Sequence, residues 1–161
     1  MDSRKIASEL ETLHPFPPLH LDAPELKEAE TLISALLVQT CGLILPRVPR
    51  NILRPGSIEY FERTRAVHFG MTLAELGKQT DEEAVWAEAE KGLRKLGEML
   101  ERKGGPFLGG EEVGYADLVV VGGLEIFKRV EGRLFERVVR MEPRLGRLYE
   151  ACGKWLERDD H

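Results

Sequence analysis

The run from Pro106 to Phe127 constrains this chain more than any other. It opens with Pro106-Phe107-Leu108-Gly109-Gly110, a tight glycine-rich turn. Gly114-Tyr115-Ala116-Asp117 then starts a helix with an acid in its first turn, where the positive helix end favours it. From Leu118 to Phe127 the residues are apolar on nearly every helical face. A helix of that kind lies at the centre of a core. It is far short of the ~20 apolar residues that span a membrane. Other helices must therefore wrap it.

Those helices are legible along the chain. Asp2 and Ser3 cap a short first helix carrying Ile6, Ala7 and Leu10. His14-Pro15-Phe16-Pro17-Pro18 breaks it and forms a stiff connector. Asp22 is expected to cap the next helix, with Pro24 in its first turn. Leu26, Ala29, Leu32, Ile33, Leu36 and Leu37 give that helix a wide apolar face, running to about Ile44. Pro46, Pro49 and Pro55 make the following segment irregular. Ser57 restarts a helix on which Tyr60, Phe61, Thr64, Val67 and His68 are near neighbours, and Gly70 is expected to bend it or admit a close contact. Asp81 opens a helix with Val85, Ala89, Leu93, Leu96 and Leu100 on one side, ended by Gly104-Gly105. Leu134, Phe135, Val138 and Val139 mark a short helix. Pro143 opens a final one carrying Leu145, Leu148, Tyr149, Ala151, Cys152, Trp155 and Leu156. Trp86 and Trp155 are expected at the edge of the core. No period-two strand pattern and no repeat occurs. The predicted fold is all-α, about seven helices around the buried central one, and 161 residues suit one core.

Composition narrows the partners. A net charge of -5 gives no general attraction to nucleic acid or to an anionic membrane surface. Cys41 and Cys152 lie far apart without a CxxC pair, which suits two reduced thiols in an intracellular chain. His14, His20, His68 and His161 have no metal-ligand spacing, and no HExxH, P-loop or nucleophile-elbow pattern occurs, so no metal is expected. Met1-Asp2-Ser3-Arg4-Lys5 is not followed by the apolar stretch of a signal peptide, so a cytoplasmic location is expected.

Gly105-Pro106-Phe107-Leu108-Gly109-Gly110 with Gly114-Tyr115-Ala116-Asp117 resembles the C-terminal domain of cytosolic glutathione transferases. In that family a Ser or Thr caps the central helix and an Asp three residues on completes a capping box. Asp117 matches the acid, while Gly114 stands where the hydroxyl is usual, so half the box is present. Leu45-Pro46-Arg47-Val48-Pro49, Glu59 to Arg65 and Phe69-Gly70 are similar to the fungal UstS-like, etherase-related branch. The resemblance implies that residues 1–13 correspond to the last helix of the family's thioredoxin-like domain. It implies a Pro-rich linker over 14–22 and the helical domain over 23–161. The strands of that preceding domain, with the residue that activates the glutathione thiol, have no counterpart in the sequence. Asp2 and Ser3 then stand where the family holds the γ-glutamyl end of glutathione, so glutathione is a weak candidate cofactor. In the resembled family the first two long helices line the pocket for a hydrophobic co-substrate.

The candidate site follows from that placement. Tyr60 and Arg65 are the candidate catalytic groups, and Arg65 suits bidentate contact with a carboxylate. Leu37, Cys41, Arg47, Phe61 and Thr64 are candidate substrate contacts. Gly114 and Asp117 are expected to cap the helix and do no chemistry. The leading expectation is a truncated transferase-like protein that binds a hydrophobic small molecule between its first two long helices and does not conjugate glutathione alone. One alternative is a cofactor-independent isomerase, dehydratase or cyclase acting on a hydrophobic metabolite. Another is a non-catalytic interaction module, a homodimer through the first long helices.

Overall fold

The computed structural model describes residues 3–157, all of whose regular structure is helical. The expectations for Asp2 and His161 lie outside the described residues. Helix α1 (Ser3–Leu13) is followed by α2 (Pro24–Gln39), the short α3 (Cys41–Ile44) and α4 (Val48–Asn51), α5 (Pro55–Phe69) and α6 (Leu73–Gln79). Then come α7 (Glu82–Glu101), α8 (Tyr115–Val130), α9 (Gly132–Met141), α10 (Pro143–Ala151) and the short α11 (Gly153–Leu156). The all-α expectation holds. The helices outnumber the seven expected because short turns flank the proline-rich stretch and long helices break at single residues.

Thr40 makes one such break. Its buried hydroxyl donates to the Leu36 carbonyl at 2.7 Å, taking an acceptor from the end of α2. The expected continuous helix to Ile44 is therefore two helices. Pro24 opens α2 as expected, but Ala23 occupies the cap position and no side chain caps it, so Asp22 does not. Pro55, not Ser57, opens α5, its fixed φ suiting a first helical position. Gly70 stops α5 rather than bending it: its φ of 68° is left-handed, which a glycine adopts without strain. Helix α6 was not foreseen, although Thr72 and Glu75 form a full capping box at its start.

The core assembles around α8, which packs against α2, α9 and α10, while α7 closes the far side against α2, α9 and α10. Val120, Leu124 and Phe127 of α8 are fully buried. Trp86 sits inside this core at 1% exposure, its ring centroid 6.1 Å from that of Phe127, so it is not an edge residue. Helix α8 is not wrapped on every side: Ile126 is 39% exposed and Gly122 is open. At Gly123, a Cβ would overlap the Ile33 side chain, so only glycine lets α2 and α8 approach this closely.

Asp117 ties the helix to the turn before it. Fully buried, it accepts from the Gly114 N–H at 2.8 Å and from the Leu108 N–H at 2.7 Å. The first bond is the expected half of the capping box. The second pins the glycine-rich turn to the start of α8. Burial raises its carboxyl above the ordinary value, and the two N–H donors only partly offset that. Beside it, Cys152 is buried and its thiol is pushed up to about 11, first by burial and then by the Asp117 charge. A thiol so placed is inert as a nucleophile at neutral pH.

Among the described residues no helix is long and apolar enough to cross a membrane.

Candidate functional site

Helix α5 differs from every long helix of the core because none of its residues is fully buried. It packs against α4 and α6 and stands away from the bundle centre. Between α5 and the end of α3 a groove of about 460 Å³ opens, lined by Leu45, Thr64, Arg65, His68 and Phe69. The spacing explains the convergence: Thr64, Arg65, His68 and Phe69 lie three to four residues apart, on one helical face.

The polar groups of this groove are held locally. Thr64 donates its hydroxyl to the Tyr60 carbonyl at 2.9 Å or the Phe61 carbonyl at 3.0 Å. That leaves its oxygen free to accept from Arg65 Nη1 at 3.3 Å. The Arg65 guanidinium lies 4.7 Å from the centroid of the Phe61 ring, a cation–π contact. It makes no ion pair among the described residues. His68 meets Phe69 edge to face at 4.8 Å between ring centroids. The groove thus offers one half-buried guanidinium with free donors beside aromatic and aliphatic surface, the features that hold an acidic, hydrophobic molecule.

The other candidate residues are distributed unevenly. Phe61 lies under Arg65, as above. Tyr60 is 65% exposed and is not part of the groove wall. Leu37 is half-buried against the core, and Cys41 is half-buried at the start of α3. The Arg47 guanidinium is already engaged: it ion-pairs with Glu131 and donates to the Leu43 carbonyl at 2.6 Å. Together with Asn51, which donates to the Val130 carbonyl at 2.6 Å, it clamps the proline-rich segment to the end of α8. Ser3 is exposed at the start of α1. Gly114 and Asp117 serve the helix start described above. Among the described residues no group of three or more His, Cys, Asp or Glu is placed to hold a metal.

Sequence reasoning did not single out Leu45, His68 or Phe69 as site residues. His68 and Phe69 were readable as one helical turn beyond Thr64 and Arg65. Leu45 was not, because its position depends on the break at Thr40.

Comparison with known proteins places the architecture. The family model for the glutathione S-transferase C-terminal domain matches residues 29–155. The glutathione S-transferase-like protein ustS of Aspergillus flavus is 34% identical over 169 residues, covering 98% of this chain and 61% of that protein. Two solved transferases of Ceriporiopsis subvermispora, each in complex with glutathione, share the fold. CsGST63524 superposes with a TM-score of 0.83 at 23% identity, over 99% of this chain and 68% of that one. CsGST83044 gives 0.73 at 25% identity, over 95% and 65%. Glutathione transferase GSTFuA3 of Phanerochaete chrysosporium gives 0.72 at 25% identity, over 99% and 66%. This chain therefore spans about two thirds of the length of these relatives. The helical order, the Asp117 cap and the family match together establish that it belongs to the glutathione S-transferase family, through that family's C-terminal helical domain.

Proposed function

We propose that this chain binds a hydrophobic small molecule carrying an acidic group in the α3–α5 groove, with Arg65 holding the acid. The observation that carries this reading is the Arg65 guanidinium, half-buried, over the Phe61 ring and without a carboxylate partner among the described residues. Thr64 orients it, and Leu45, His68 and Phe69 supply the surface for the apolar body of the ligand. The binding of 8-anilinonaphthalene-1-sulfonate, an aromatic anion, tests it by fluorescence. Arg65→Ala is expected to weaken binding about tenfold, the equivalent of about 1.4 kcal/mol. Equal affinity of the variant and the parent would overturn the assignment.

We also propose that the chain alone does not perform conventional glutathione conjugation. Such catalysis lowers the pKa of the thiol with a hydroxyl hydrogen bond or a helix end. Asp117, the most buried acid near a helix start, is committed to two backbone N–H groups. The two Ceriporiopsis relatives bind glutathione. In this chain we assign glutathione at most a weak site at Ser3 and its neighbour Asp2. Residues 1–13 would correspond to the last helix of the family's thioredoxin-like domain, 14–22 to a linker and 23–161 to the ligand-binding domain, in a cytoplasmic protein. Turnover of chlorodinitrobenzene with glutathione by the purified chain would overturn this part.

A second reading, dimerisation through the first long helices, is favoured by the apolar side chains they leave in solvent. Val38 of α2 is 71% exposed, and Tyr60 and Val67 of α5 are 65% and 82% exposed. Light scattering at micromolar concentration is expected to give twice the monomer mass, and Val67→Asp is expected to halve it. A monomer mass for the parent chain would exclude this reading.

A further inference from the structure

The outward side of α5 carries a single stripe. Gly56, Tyr60, Arg63 and Val67 follow one another at steps of four, three and four residues, so they stack along one face of the helix. All four are exposed, Tyr60 at 65% and Val67 at 82%. The half-buried Ile58, Phe61, Arg65 and Phe69 lie on the opposite side, and the stripe shares no residue with the lining of the α3–α5 groove. Glu59, beside the stripe, and Arg63, within it, are four residues apart. At that spacing Glu90–Arg94 and Glu125–Arg129 form ion pairs at 2.7 Å and 2.6 Å. Glu59 and Arg63 are exposed and make no ion pair with each other or with any other described residue. Arg54, exposed at the start of α5, makes none either. Tyrosine and arginine are the residues that concentrate where proteins meet.

The stripe is complementary to itself. A second copy of α5, set antiparallel about a two-fold axis between Phe61 and Glu62, matches it step by step. That axis lies within one residue of the middle of Pro55–Phe69, so the two helices overlap along nearly their whole length. In this register Val67 lies over the partner's Gly56, where a Cβ would meet nothing within 4 Å and the open space takes the branched side chain. Arg63 lies over the partner's Tyr60, in reach of a cation–π contact, and one residue along from the partner's Glu59. Arg54 comes beside the carbonyl end of the partner's α5, where a positive charge is favoured. Each contact is made twice, as an isologous interface requires. A parallel pair loses all three contacts: it sets Arg63 against the partner's Arg63 and aligns the two helix dipoles in the same direction.

Building on the dimer reading above, we propose that two copies of this chain pair antiparallel through the outer stripe of α5, Arg63 of each copy engaging the partner's Tyr60 and the partner's Glu59. Sedimentation equilibrium of the full chain tests it. The parent is expected to associate reversibly, since one helix pair buries less than the ~1,200 Å² of a stable complex. Arg63→Glu and Glu59→Arg each bring like charges together, and each is expected to weaken association at least about tenfold. Both positions are exposed, so both variants are expected to fold as the parent does, which circular dichroism checks. An equimolar mixture of the two variants is expected to recover the parent's affinity as a heterodimer, because every charge then meets its opposite. Native mass spectrometry separates that heterodimer from the two homodimers. A parent dimer undisturbed by either reversal would overturn the α5 pairing and leave the dimer reading standing. Two weakened variants that do not recover on mixing would overturn the antiparallel register. A parent that stays monomeric at every concentration would overturn both and leave the stripe to a different partner.

Discussion

The bundle core and the α4–α5 arm are built on opposite terms. In the core, Phe127, Leu124 and Trp86 are at most 1% exposed, and charges are matched at short range. Arg144 holds the buried Glu142 through Nε at 2.6 Å and Nη2 at 2.7 Å, and Glu101 at 2.8 Å through its remaining nitrogen. Gly97 makes the room, since a Cβ there would overlap the Glu142 carboxyl. In the arm, α5 buries no residue fully, and Arg65 has no acid partner among the described residues. The difference separates the side chains that hold the fold from those the proposed groove would use. Fully packed side chains and satisfied charges hold the fold, while half-buried, unpaired groups retain interaction energy for a ligand.

The sharpest test sets the two regions against each other. Phe127→Ala is expected to cost about 3–5 kcal/mol through lost burial and a cavity. Tyr60→Ala in the arm should stay within about 0.5 kcal/mol. Urea denaturation of both variants reads the contrast, and similar losses would erase it. Next in size is Asp117→Ala, which orphans the Leu108 and Gly114 N–H groups at about 1–3 kcal/mol each. Its loss should also raise hydrogen exchange in the 106–110 turn.

Glycines sharpen the comparison further. Gly123→Ala drives a methyl into Ile33 and should cost about 1–3 kcal/mol. Gly56→Ala in the arm meets nothing within 4 Å and should gain up to about 1 kcal/mol of helix propensity. Thermal melts of the pair, shifting in opposite directions, are the expected result.

The smallest expected effect is a pH dependence with two signs. Burial raises the Glu142 carboxyl, but the Arg144 hydrogen bonds and charge outweigh it and hold the carboxyl below 4.5. Its contribution is present above that value and lost as pH falls through the folded one. The deficit of Glu142→Gln should therefore be largest at neutral pH and shrink below pH 4.5. Asp117 is raised above 3.8, so its contribution is present below that value and lost as pH rises through the folded one. The deficit of Asp117→Asn should shrink in the opposite direction, toward neutral pH. Parallel melting curves across pH for both variants would contradict this.

Much of the fold was readable because local chemistry agreed with tertiary need. Asp81 caps α7 as its position suggested, accepting from the Glu83 and Ala84 N–H groups at 3.1 Å. Asp22 did not cap α2, because propensity at a helix start cannot tell which of two adjacent residues turns inward. The Thr72–Glu75 box was visible in the sequence but masked by weak apolar periodicity nearby. Trp86 was misplaced because helical spacing gives a face and not a depth. Of the candidate site, Arg65 was singled out by the family-like Glu59 to Arg65 run and Thr64 by its helical spacing from Tyr60 and Phe61, and both line the groove. The engagement of Arg47 with Glu131 joins segments 84 residues apart, and Leu45 reaches the groove wall only through the helix break at Thr40.

The sequence alone determined the all-α class, the central helix through its apolar run from Leu118 to Phe127 and the Asp117 cap. Each rests on interactions within one or two turns, which short-range patterns encode. Only the tertiary structure decided that, among the described residues, Arg47 is spent on Glu131 while Arg65 has no acid partner. Those outcomes depend on how distant segments meet, and a side chain's partners are settled by packing across the fold rather than by its neighbours along the chain.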